Sequence, residues 1–139
     1  MNKYKFSEIY VDLCESFKVK ITQNMIESFI DISGDDNPLH IDNEYAVKKG
    51  FKGKVVHGFL SASFYSRLVG VYIPGKYALL QSIDIKFTSP VYLGDCLAVS
   101  GSVSYINNTY KQIEIKALIE NADGKKISKA IIKVGLIDE

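Results

Sequence analysis

From Gly58 to Tyr72 the chain carries no proline and one charge, Arg67, and this stretch constrains the fold more than any other. Leu60, Phe64, Leu68 and Val71 recur at helical spacing, while Ser61, Ala62 and Ser63 are small enough to let a helix approach a sheet closely. Pro74-Gly75 ends the stretch. A helix this apolar needs cover, and the second half of the chain supplies period-two runs to provide it. Leu79 to Val91 sets Ile83, Ile85 and Phe87 against Asp84, Lys86 and Thr88, before a break at Pro90 and Gly94-Asp95. Cys96 to Tyr105 alternates Leu97, Val99, Val103 and Tyr105, with Gly101 in the same row as a bulge or bend. Asn107-Asn108 signals a tight hairpin. Tyr110 to Glu120 aligns Ile113, Ile115, Ala117 and Ile119, residues 121–124 turn the chain, and Ile127 to Leu136 is the last strand.

The first half is mixed. Glu8 to Ile21 reads as an extended lead-in, with Phe17, Val19 and Ile21 alternating against Lys18 and Lys20. Thr22 is placed to cap a helix whose apolar face is Met25, Ile26, Phe29, Ile30 and Ile32, stopping at Ser33-Gly34. Asp35 to Leu39 reads as a loop, because Asn37 precedes Pro38. Asp42 or Asn43 caps a short helix through Tyr45-Ala46-Val47, closed by Gly50 and Gly53. Helices early and an antiparallel meander late predict an α+β fold, one domain over residues 1–139, with a sheet wrapping one long helix. A sheet this small leaves an edge uncovered, and pairing with a second copy is the usual remedy.

Composition excludes several function classes. Lys plus Arg number 17 against 16 for Asp plus Glu, so no basic field exists to hold nucleic acid or an anionic membrane. No apolar run reaches bilayer length. The N-terminal residues have no signal-peptide core, and two cysteines, Cys14 and Cys96, are too few for a disulfide framework. The expectation is a cytoplasmic protein with reduced thiols.

The chemistry concentrates in two segments. In Ser33-Gly34-Asp35-Asp36-Asn37-Pro38-Leu39-His40, Asp35 and His40 stand on the shoulders of a proline-fixed turn, where a carboxylate and an imidazole can grip one water and take its proton near neutral pH. In Val56-His57-Gly58-Phe59, Gly58 opens a helix with an unpaired N–H, and a ligand can come close to a residue without a side chain. That is the geometry of an oxyanion donor. His57 is either a second catalytic group or a residue bonding nearby backbone. Metal is not expected: Asp35, Asp36, His40, Asp42 and His57 lack zinc or calcium spacing. Ser61, Ser63 and Ser66 have no nucleophile elbow around them. Arg67 reads as a snorkelling or ion-paired side chain, or as one meeting a charged ligand or partner.

Ser33-Gly34-Asp35-x-Asn37-Pro38-Leu39-His40, followed by Val56-His57-Gly58-Phe59-Leu60, resembles the hydratase motif of the MaoC-like dehydratases, which include the (R)-specific enoyl-CoA hydratases. The run from Lys86 to Asp95 is similar to that family's strand and turn. The resemblance implies a hot-dog fold paired into a homodimer or a dimer of dimers. It implies Asp35 and His40 as catalytic dyad, Gly58 as backbone donor to the thioester carbonyl, Asn37 as support of the turn and Ser66 as part of the surround. Asp36 adds a second acid at a variable position of the motif. The implied reaction is that of a hydro-lyase, reversible syn addition of water to a trans-2-enoyl thioester. It needs no metal or redox cofactor; coenzyme A or an acyl carrier protein is the handle of the substrate. A hot-dog thioesterase and a noncatalytic acyl-thioester-binding domain are the alternatives.

Overall fold

The computed structural model describes residues 1–138. A 3-10 turn at Phe6–Glu8 leads into strand β1 (Cys14–Lys20) and helix α1 (Gln23–Ser33). The Thr22 hydroxyl accepts from the Met25 N–H, and Gly34 closes the helix in the left-handed region at φ 72°. Ile26 is buried and Met25, Phe29 and Ile30 are half-buried beside it. Ile32, expected on the same face, is 85% exposed: six residues past Ile26, helical rotation carries it to the wet side.

Two short helices follow, α2 (Pro38–Ile41) and α3 (Asn43–Lys48). The expected loop through Leu39 is thus shorter than its sequence suggests. Asn37 Oδ1 accepts from the Leu39 N–H, and Pro38 starts the helix with its fixed φ and no N–H to leave unpaired. Asp42 caps α3 through the Tyr45 N–H.

Helix α4 (Gly58–Arg67) continues without interruption into a π-type turn, Leu68–Tyr72. Strands β2 (Ala78–Phe87), β3 (Cys96–Asn107), β4 (Gln112–Glu120) and β5 (Lys126–Leu136) complete one antiparallel sheet with β1, in the order β1-β3-β4-β5-β2. Only β3-β4-β5 is a meander; β1 and β2 add to opposite edges. This is the α+β, hot-dog-like arrangement expected.

The inner rows of β3, β4 and β5 form the core with Leu60, Phe64, Tyr65 and Leu68 of the central helix. Gly101 does not bend its strand. A Cβ there would stand 2.8 Å from Leu68 Cδ2 and 2.9 Å from Ile115 Cγ2, so the missing side chain is the space that the helix fills. Two expectations for inner faces fail. The register shifts between Val103 and Tyr105, and this irregularity turns Tyr105 outward to 57% exposure. Strand β2 pairs only with β5, and as an edge strand it leaves Leu79, Leu80, Ile83 and Phe87 exposed.

Candidate active site

The turn between α1 and α2 is built by side chains bonding their own backbone. Ser33 Oγ accepts from the Asp35 N–H (3.1 Å), Asp35 Oδ1 from the Asn37 N–H (3.2 Å), and Asn37 Oδ1 from the Leu39 N–H (3.0 Å). This leaves Asp35 Oδ2 facing His40, whose Nε2 lies 3.7 Å away. The carboxylate is half-exposed and the imidazole largely covered. The Nδ1–H of His40 donates to the Val55 carbonyl at 2.7 Å, which leaves the Nε2 lone pair on the Asp35 side. A separation of 3.7 Å is long for a direct hydrogen bond and suits two groups that share a third polar atom.

His57, fully buried, lies beneath this pair. Its ring stacks on that of His40 with centroids 3.8 Å apart and planes 27° from parallel. The Nε2–H donates to the Asp35 carbonyl at 2.9 Å, and the Phe29 ring packs at 4.9 Å. Nδ1 is buried with no hydrogen-bond partner. Asp35, His40 and His57 each present a ligand-type atom within 4.8 Å of the others.

Gly58 is the first residue of α4, so its N–H has no acceptor within the helix. A Cβ at this position would come within 3.2 Å of the Phe87 ring. Gly58 and His40 line one cavity of about 370 Å³ with Ser61, Phe87, Thr88 and Ile127. Asp35 lines another, about 550 Å³ and mostly apolar, with Phe29, Phe59, Ser66, Leu80 and Ile83. The Asp35–His40 contact therefore stands on the partition between two cavities. Ser66 lies with Asp35 and away from Gly58. Arg67 is in neither lining; its guanidinium rests on the Phe17 ring, 4.4 Å from the centroid.

Sequence alone places Phe87 in a strand, within the run from Lys86 to Asp95, but not against Gly58, and the Val55 carbonyl, as a backbone group, leaves no mark in the residue type. Ser33 was within the quoted segment, but its bond to the Asp35 N–H follows only from the folded turn.

The family description "MaoC like domain" matches residues 12–124. The chain is 33% identical over 99 residues to an (R)-specific enoyl-CoA hydratase of Rhodospirillum rubrum, a match covering 71% of this chain and 69% of that protein. It is 31% identical over 99 residues to a 3-hydroxybutyryl-CoA dehydratase of Methylorubrum extorquens, where the match spans 71% of this chain but only 63% of the relative. Among solved structures, the unliganded R-hydratase PhaJ1 from Pseudomonas aeruginosa superposes with a TM-score of 0.89 at 27% identity, over 96% of this chain and 86% of that one. The chain belongs to the MaoC-like family.

Proposed function

We propose that this chain is an (R)-specific enoyl-thioester hydratase, working equally as a 3-hydroxyacyl-thioester dehydratase in the reverse direction. The observation that carries the reading is the facing pair Asp35 Oδ2 and His40 Nε2, with Nδ1 of the same imidazole held by Val55. Water between the two groups is oriented by both. Its oxygen forms the new bond to C3 of the enoyl thioester as its proton passes to the pair. The electrons of the double bond move toward the thioester oxygen, and C2 takes up a proton on the same face, so the pair ends in its starting state. Charge that gathers on the thioester oxygen is met by the N–H of Gly58, reinforced by the partial positive charge of the helix start. No step calls for a metal or redox group, and the handle of the substrate is coenzyme A or a carrier protein.

The working unit under this proposal is a homodimer. The free edge of β2 and the exposed Phe59, Leu80 and Ile83, which line one cavity, offer apolar surface that a second copy would cover. Incubation with crotonyl-CoA tests the activity. Loss of the conjugated enoyl absorbance without release of thiol is expected. Thiol release would replace the reading with a thioesterase, and no change in either signal would replace it with an acyl-binding domain.

A further inference from the structure

The walls of the two cavities change over at the same place on three elements. On the inner face of β2, whose partners Ile132 and Ser128 on β5 are fully buried, Ile83 and Ile85 line the larger apolar cavity. Phe87, next on that face, lines the cavity that holds His40 and Gly58. On α4, Gly58 and Ser61 belong to the His40 cavity, whereas Ala62 and Ser66 belong to the apolar one. On the third wall the change falls between Asp35 and His40. The cavities are thus consecutive stretches of one groove between α4 and β2, interrupted at a neck. The contact that crosses the groove there is Phe87 on Gly58, the ring lying so close that a Cβ at position 58 would stand 3.2 Å from it.

Of the groups at this neck, the Phe87 ring is the one free to leave. His40 is held by the Val55 carbonyl, and the main chain at Asp35 by His57. The main chain of β2 is fixed just past Phe87, where the Thr88 N–H donates to the Ile127 carbonyl at 2.8 Å. The ring itself is half-exposed on an edge strand. Toward the core its way is closed by Ser128, opposite it in the β2-β5 register, buried and bonded to the Tyr65 hydroxyl. Rotation of the side chain toward solvent is the open route.

The direction of a bound substrate follows from the same walls. With the thioester oxygen at the Gly58 N–H, C1 lies on the His40 side of the neck. C3 meets the water between Asp35 and His40, at the boundary itself. The carbons beyond C3 then run toward the apolar cavity of about 550 Å³. A crotonyl group ends one carbon past this point, and a longer acyl group needs the passage open.

We propose that Phe87 sets the acyl chain length: with its ring seated on Gly58 the groove stops at the neck, and short chains are favoured. The inference rests on the hydratase reading and deepens it. Space for a longer tail already exists beyond the neck, walled by Ala62, Ile83 and Ile85, and the ring withholds it.

The test compares trans-2-octenoyl-CoA with crotonyl-CoA in the wild type and in Phe87→Ala. Each methylene newly buried is worth a factor of about four in affinity. The ratio of kcat/KM for the longer ester over the shorter should therefore rise about tenfold or more in the variant. Adding Ile85→Phe to Phe87→Ala refills the space beyond the neck and should bring the ratio back toward the wild-type value. Phe87→Leu, which keeps an apolar side chain on the strand, guards against loss of the fold and should give an intermediate ratio. Calorimetric titration with octanoyl-CoA and butyryl-CoA, which have no double bond to hydrate, reads the same preference without turnover. A ratio unchanged in both Phe87 variants, or one that Ile85→Phe leaves raised, would overturn the proposal. So would a wild type that already favours the octenoyl ester as strongly as Phe87→Ala does. Failure of the wild type to hydrate either ester, with the binding preference shifted in Phe87→Ala as expected, would instead remove the hydratase reading.

Discussion

His57 holds Asp35 and His40 at once: its Nε2–H is bonded to the carbonyl oxygen of Asp35, and its ring face lies 3.8 Å from that of His40. The distance between the two dyad groups is thereby set from underneath by one buried side chain, on the residue that precedes the central helix. A phenyl ring at position 57 would keep the stacking and lose the bond. His57→Phe should lower kcat at least tenfold with KM changed less than threefold, because the main chain at Asp35 loses its anchor while the cavity keeps its shape. His57→Gln, which can donate to the same carbonyl, should recover part of the rate. Steady-state kinetics of both variants make the comparison.

The dyad itself has a larger effect. Asp35→Asn and His40→Gln should each reduce kcat by a factor of about 10²–10⁴, the usual contribution of a positioned acid or base. Size-exclusion chromatography should show the wild-type elution volume for both, since neither side chain belongs to the core. A rate within tenfold of wild type in either variant would remove the water-activation scheme.

Gly58→Ala puts a methyl group within 3.2 Å of the half-exposed Phe87 ring, which then has to shift by a few tenths of an ångström in the wall of the 370 Å³ cavity. KM for crotonyl-CoA should rise several-fold. Replacing Phe87 by Ala in the same chain should return KM toward the wild-type value, and a pair of residues with independent effects would not behave in this way.

Three ligand-type atoms within 4.8 Å invite the question of a metal. Under the proposed mechanism, dialysis against a chelator should leave the hydration rate unchanged. Added zinc ion should inhibit, because it would compete with water for the same Asp35 and His40 atoms. A rate lost to the chelator and restored by metal would contradict the scheme.

Alkaline stability reports on the far side of the central helix. The Tyr65 hydroxyl is buried and shares a 2.8 Å hydrogen bond with Ser128 Oγ. Burial pushes its pKa above the ordinary 10.0, and the Ser128 bond offsets this only in part. The phenol thus stays neutral in the fold at a pH where the unfolded chain ionises. Its contribution to stability is complete below pH 10.0 and is lost as the pH climbs past that value. Denaturant titrations of Tyr65→Phe should show a shallower alkaline decline than the wild type, with a loss of about 1 kcal/mol at neutral pH for the missing hydrogen bond.

Much of this was legible in the residues because it depends on local rules. Thr22, Gly34 and Asp42 act where capping chemistry puts them, and the alternation in β4 needs only the period of a pleated strand. The failures share a cause, which is context that a single strand or helix does not contain. The apolar residues of β2 are exposed because the strand lies at an edge. Tyr105 faces out because the β3 register slips. Asp35 and His40 meet as their spacing suggested, yet the division of their surroundings into two cavities comes from Phe59, Phe87 and β2, which lie far along the chain.

The hollow at Gly101 makes two distant positions share one allotment of space. Leu68 occupies what a side chain on the strand would otherwise fill, so neither residue can be resized alone. Ile115 presses on the same hollow, so any variant that enlarges position 101 must make room at positions 68 and 115, and a library that randomises position 101 alone will recover almost only the parental residue. Substitutions at this seam travel together.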